Sequence, residues 1–290
     1  MSKYLNLISY FGGKFPHLNW LIPKFPAGNY HFVDLMCGSA NVALNVNYPL
    51  ITINDLNDEV INLFKVLRDN PEELIRQIYF TPFSRAELNK IISDSIDNLK
   101  FDNIERARRY FVKCQLGYGA NGSQNNHYGL GFEFTISRFN YYRVDNWNEK
   151  MKKLPAIIDR LRGFQIENRN ALDLFDQVNK PDKVVYIDPP YVLETRKSKK
   201  RYMHEVENDF HIKLSEKIKT AKCYLIISGY DHPLYDDLFS LLQKTKNKET
   251  RSSVGKNLSQ ECIWTNYDPE TINGLLKIDF HFEDKKLNCY

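Results

Sequence analysis

The feature that most constrains this fold is an alternation. Short apolar runs recur along the chain: "YHFVDLM" from Tyr30, "LITIND" from Leu50, "FQIEN" from Phe164, "KVVYIDPPY" from Lys183 and "KCYLIISGY" from Lys222. Each is followed by a stretch with helix-like apolar spacing: "ANVALNV", "DEVINLFKVLRDN", "ALDLFDQV", "DFHIKLSEKIKT" and "PLYDDLFSLLQKT". A late run, "ECIWTNY", reads as one more strand. Strands that alternate with helices pair in parallel and form an open α/β sheet.

The alternation breaks between Pro71 and Lys152. "PEELIRQIYFTPFSRAELNKIISDSI" and "NIERARRYFVKCQL" have helical spacing, and "GYGANGSQNNHYGLGFEFTISRFN" reads as a loop or hairpin rich in Gly, Asn and aromatics. We read 71–152 as an insertion into one domain made of 1–70 and 153–290. The 290 residues suffice for that arrangement. Forty Lys and Arg against 36 Asp and Glu give a net charge of +4, which permits a polyanionic partner without requiring one. Five scattered cysteines without a CxxC pair suggest neither a disulfide framework nor a zinc site. "MSKYLNLISYFGGK" does not read as a signal peptide, and no run approaches the length of a membrane span, so a cytoplasmic location is expected.

Ligands of open α/β sheets bind at the carboxyl ends of strands. Three candidate sites fall there. Gly38 and Ser39 follow the first strand, where a glycine lets backbone approach a ligand, or simply makes a turn. The three-glycine dinucleotide fingerprint and the P-loop are both absent. Asp55 ends the second strand about twenty residues on, as an acid binding a ribose hydroxyl would; it, or Asn57, could equally cap the next helix. The third site is Asp188-Pro189-Pro190-Tyr191. Two prolines remove two backbone donors and stiffen the exit of a buried strand. An Asp carboxylate and a proline carbonyl, both acceptors, can grip the two hydrogens of an exocyclic amino group. Tyr191 offers a face on which a base could stack.

These motifs together resemble the D12 class of DNA N6-adenine methyltransferases, the Dam-like enzymes. Tyr10-Phe11-Gly12-Gly13-Lys14 is similar to that family's Tyr-x-Gly-x-Lys, "FVDLMCGSANVAL" to its Phe-x-Glu-Pro-Phe-x-Gly-x-Gly, "INDLN" to its Asp-x-Asn and "DPPY" to its catalytic tetrapeptide. "LIISGYDHPLYDDLF" and "ECIWTNY" also follow the family manner. The resemblance spans nearly the whole chain and is weakest over 71–152. Asp34-Leu35-Met36 stands for Glu-Pro-Phe, and Ala40 for the second glycine. The insertion keeps "GYGANG" but carries "GFEFTIS" where an Asn-Val-Pro stretch belongs, so recognition of GATC does not follow.

The resemblance implies a Rossmann-like class I methyltransferase sheet, mostly parallel with one late antiparallel strand. It implies S-adenosyl-L-methionine as cofactor, held by Tyr10, Gly12, Lys14, Asp34, Met36, Gly38, Ser39, Ala40, Asn41, Asp55, Asp173 and Asp188, and double-stranded DNA as partner; the sequence leaves open whether a cognate restriction endonuclease accompanies the chain. Hydrogen bonds to Asp188 and the Pro189 carbonyl would free the adenine nitrogen lone pair, and the base must be flipped out of the duplex. No metal is needed. The rivals are methylation of cytosine N4, RNA or a glutamine side chain, and an inactive DNA-binding relative. For DNA contacts the candidates are Tyr118, Asn121, Gln124, Asn125, Asn126 and Arg138 in the insertion. Lys197, Lys199 and Lys200 of "RKSKKR" suit phosphates.

Overall fold

The computed structural model describes residues 3–94, 100–117, 138–191, 208–248, 250–251 and 258–273, with backbone alone at 138–146, 208, 250–251 and 258–259. Seven strands form one sheet: β1 (His31–Asp34), β2 (Leu50–Asn54), β3 (Phe164–Glu167), β4 (Lys183–Ile187), β5 (Tyr224–Tyr230), β6 (Gln243–Lys246) and β9 (Glu261–Thr265). Their order is β3-β2-β1-β4-β5-β9-β6. The pairs among β3, β2, β1, β4 and β5 are parallel, and β9 runs antiparallel to both β5 and β6. This is the Rossmann-like α/β sheet expected, with its one reversed strand. β7 (Thr250–Arg251) and β8 (Leu258–Ser259) form a separate two-stranded ribbon.

The sheet is buried on both faces. Phe32, Ile51, Ile53, Val184 and Tyr186 point into one core, and Val33, Leu35, Val185, Ile187, Leu225 and Ile227 into the other. Such strands read as continuous apolar runs. The second core is closed by α7 (Ala171–Val178), α8 (Asn208–Ile218) and α9 (Pro233–Leu238). The first is closed by α1 (Leu18–Leu21), by α2 (Asp58–Asp69) and by three helices within 71–152: α3 (Pro71–Tyr79), α4 (Arg85–Ser93) and α5 (Asn103–Leu116). Leu74, Ile78, Leu88, Ile91 and Phe111 therefore share a core with the sheet. Helix α6 (Arg138–Arg162) runs without a break through the 152/153 boundary, with Pro155 inside it.

Two expected elements come out differently. "ANVALNV" is a winding of turns, not a regular helix. The Asn45 side chain takes the backbone N–H and C=O of Leu5 at 2.7 and 2.8 Å and the Asn41 carbonyl at 2.7 Å. Side chains that hydrogen-bond backbone compete with the helical ladder. "PLYDDLFSLLQKT" ends its helix at Leu238, and Gln243–Lys246 becomes β6. Pairing with β9, distant in sequence, overrides the local helical spacing there. Among the described residues no helix is long and apolar enough to cross a membrane.

Candidate active site

Strand order reverses between β1 and β4, so their carboxyl ends open a crevice between divergent loops. Asp34 closes β1, Asp55 follows β2, and Asp188 follows β4. The structure thus gathers three of the expected carboxylates at one edge of the sheet.

The loop after β1 is bound to that edge. Gly38 has φ +47°, and a Cβ there would lie 2.8 Å from the Tyr10 ring, so conformation and space both demand glycine. The Gly38 amide donates to Asp55 Oδ2 at 2.8 Å, and the Asn57 amide to Asp55 Oδ1 at 2.8 Å. Asn57, not Asp55, caps α2, accepting from the Glu59 amide at 3.0 Å. Ala40, standing for a family glycine, adopts φ +51°. Asp34 is 2% exposed; burial pushes its carboxyl well above the usual range, and Asp188 and Asp55 add to that. Asp34 Oδ1 and Asn41 Oδ1 are buried acceptors with no hydrogen-bond donor. Asp173 is exposed in the first turn of α7, and Met36 is partly buried beside the second core.

Asp188 is gripped from two sides. Lys14 Nζ donates to its Oδ2 at 2.7 Å and to the Gly12 carbonyl at 2.9 Å. Gly12 takes φ +74°, in the left-handed region that favours glycine. Ser228 Oγ donates to Asp188 Oδ1 at 2.7 Å, and Tyr186 lies against the same hydroxyl at 3.0 Å. Pro189, Pro190 and Tyr191 are buried. Tyr191 donates to Glu261 Oε1 at 2.5 Å and sets its ring edge-on to Tyr230, 4.5 Å between centroids. Glu261 is 3.6 Å from Lys14 Nζ. Burial holds the Glu261 carboxyl up at about 7, Lys14 pulling it down and Asp188 pushing it up. His17 lies nearby; burial, then Lys14, lowers it to about 4.

Sequence reasoning missed Ser228, Glu261 and His17. A polar residue inside "YLIISGY" and an acid opening "ECIWTNY" were the available signals, since buried polar groups need partners. Tyr118, Asn121, Gln124, Asn125, Asn126, Lys197, Lys199 and Lys200 lie outside the described residues, and Arg138 begins α6 with its backbone alone described.

The fold and this strand-end cluster define an α/β enzyme of the Rossmann-like methyltransferase type. A family model of the D12 class N6 adenine-specific DNA methyltransferases matches residues 10–254. The chain belongs to that family. It is 25% identical to the type II methyltransferase M1.LlaDCHI of Lactococcus lactis subsp. cremoris, over 88% of this chain and 93% of that protein. It is 23% identical to a DNA adenine methylase of Salmonella typhi, over 89% of this chain and 91% of that one. Modification methylase StsI of Streptococcus sanguinis is 24% identical over 94% of this chain, which spans 44% of its length.

Proposed function

We propose that the chain methylates the N6 amino group of an adenine flipped from double-stranded DNA, using S-adenosyl-L-methionine, in the cytoplasm and alongside a cognate restriction endonuclease. The observation that carries this reading is Asp188, held at the carboxyl end of β4 by Lys14 and Ser228 and near enough to the buried Asp34 for its charge to act there.

The residues present fit the cofactor. Asp188 and Asp55 both make Asp34 harder to ionise, a repulsion that a ligand carrying ammonium and sulfonium charges would relieve. Asp34 Oδ1 and Asn41 Oδ1 are acceptors without donors, which a ligand could satisfy. Asp34, Asn41 and Asp55 would hold the cofactor, which supplies an activated methyl group. Asp188 then orients the amino group: its carboxylate has lone pairs beyond the two that Lys14 and Ser228 occupy. Accepting from the amino group favours a tetrahedral nitrogen, and Ser228 keeps the carboxylate from rotating. Asp188, as the acceptor for that nitrogen, can also take the proton it sheds once methylated.

The test is transfer of labelled methyl into DNA, with the product base identified, beside cofactor binding by calorimetry. Asp188→Asn and Asp188→Ala should slow transfer by roughly 10²–10⁴ while cofactor affinity changes little. Near wild-type turnover in either variant, or a product other than N6-methyladenine, would overturn the reading.

A further inference from the structure

Glu261 stands in register with Tyr230 on β5 and is 4% exposed. An apolar residue would fill this strand position without a charge to desolvate. The carboxylate is instead joined to both parts of the catalytic cluster. Its Oε1 accepts from Tyr191 at 2.5 Å and lies 3.6 Å from Lys14 Nζ. Lys14, 4% exposed, is 2.7 Å from Asp188 and 5.0 Å from the centroid of the Tyr191 ring. The ammonium thus sits between two anions, closer to Asp188.

That position conflicts with the chemistry assigned to Asp188. Ser228 holds Oδ1 and Lys14 holds Oδ2, so an amino group docking on a remaining lone pair meets a carboxylate whose charge is already drawn to a cation. A charge-assisted bond is roughly twice as strong as a neutral one. Unless Lys14 has another anion to turn to, the neutral amino group is held more weakly. A shift of about 1 Å would bring Lys14 from 3.6 Å into full contact with Glu261.

We infer that Glu261 is a positioning residue for methyl transfer: it fixes Tyr191 by its hydroxyl and gives Lys14 a second anion, so that Lys14 can release Asp188 to the incoming amino group. This rests on Asp188 being the acceptor for that group. The groups facing Glu261 are Lys14 from the N-terminal segment, Asp188 and Tyr191 from the loop after β4, Tyr186 on β4 and Tyr230 on β5. Lys244 and Lys246 on β6, with Asp231, act on the neighbouring Cys262. Tyr186 and Tyr191 are held protonated, each pushed well above the usual range by burial. His17, lowered to about 4, stays neutral at physiological pH. Protonating Glu261 removes the second anion, so the rate should fall on the acid side of about 7.

Single-turnover methylation, with cofactor and DNA saturating, tests this in wild type, Glu261→Gln, Lys14→Met, the double variant and Asp188→Asn across about pH 5 to 9. Glutamine keeps an acceptor for Tyr191 and removes the charge. Glu261→Gln should be roughly a hundredfold slower, as for a reacting group misplaced by about 1 Å, and should lack the acid limb that wild type shows. The double variant should be no slower than Lys14→Met alone, since the two act as one unit. A Glu261→Gln rate within about twofold of wild type, or additive losses in the double variant, overturns the inference. Should Glu261→Gln fail to fold, the wild-type profile decides: a rate flat on the acid side of neutrality overturns it. If Asp188→Asn keeps the wild-type rate, the reading of Asp188 has failed; if it loses the rate and Glu261→Gln does not, only the role of Glu261 has.

Discussion

Asp55 carries two backbone amides, those of Gly38 and Asn57, and its loss should be felt in two ways. Asp55→Ala leaves both donors unsatisfied at the turn we assign to the cofactor. Stability and cofactor affinity should fall together, by about 1–3 kcal/mol for each donor left buried. Urea denaturation beside calorimetry checks this; a drop in affinity with unchanged stability would show that the turn does not depend on the carboxylate. Two other residues set opposed pH dependences. The Glu261 carboxyl is raised from 4.5 to about 7, so its stabilising contribution is complete below 4.5 and lost as pH rises through about 7. His17 is lowered from 6.5 to about 4, so its contribution is complete above 6.5 and lost as pH falls through about 4. Removing either group removes its own slope. Between about pH 4.5 and 6.5, stability measured relative to wild type should rise with pH in Glu261→Gln and fall with pH in His17→Gln. Denaturation midpoints across that range, parallel in both variants, would contradict the pairing.

Helix α5 shows what an element can hide. Arg106, Arg108 and Arg109 could be read as basic residues for DNA or as a solvated charged face. The structure commits them to the protein. Arg106 pairs with Glu59 at 2.7 Å, Arg108 with Glu105 and Glu87, and Arg109 with Glu105 and Asp94. Arg109 also lies 3.7 Å over the Phe101 ring. Arg109→Ala should lower stability by about 2 kcal/mol, less than the roughly 3–5 kcal/mol of a fully buried pair because Glu105 and Asp94 keep some water. The salt dependence of DNA binding should not move; a shallower salt slope would return Arg109 to the DNA. Sequence made visible those elements whose signal is local. The strands β1, β2, β4 and β5 carry their burial in continuous apolar runs, and Asp188-Pro189-Pro190-Tyr191 sits within one stretch of chain. What stayed hidden depends on distant partners: β6 exists because β9 pairs with it, and no local pattern joins Glu261 to Lys14. The turns at Ala40–Val46 are settled by Asn45 reaching back to Leu5, again outside any local window.

At the scale of the whole molecule, we propose that binding DNA and reading its sequence fall to different stretches. Gln124, Asn125 and Asn126, with Arg138, have the side chains for base edges, and Lys197, Lys199 and Lys200 the charges for phosphates. Replacing Gln124 to Asn126 by alanines should relax the methylated site, at ~1–3 kcal/mol per lost base contact. Neutralising the three lysines should weaken binding to all sequences alike and flatten its salt dependence. Methylation-site mapping beside titrations at several salt concentrations checks both; a changed site in the lysine variant would end the division. The bond from Lys14 to Asp188 has a consequence of another kind. It joins residues 174 positions apart, and the second anion that Lys14 meets stands on β9, near the close of the described chain. During synthesis, then, the sheet's central strands leave the ribosome well before the crevice has its full set of charges. The set closes only once β9 has taken its place between β5 and β6.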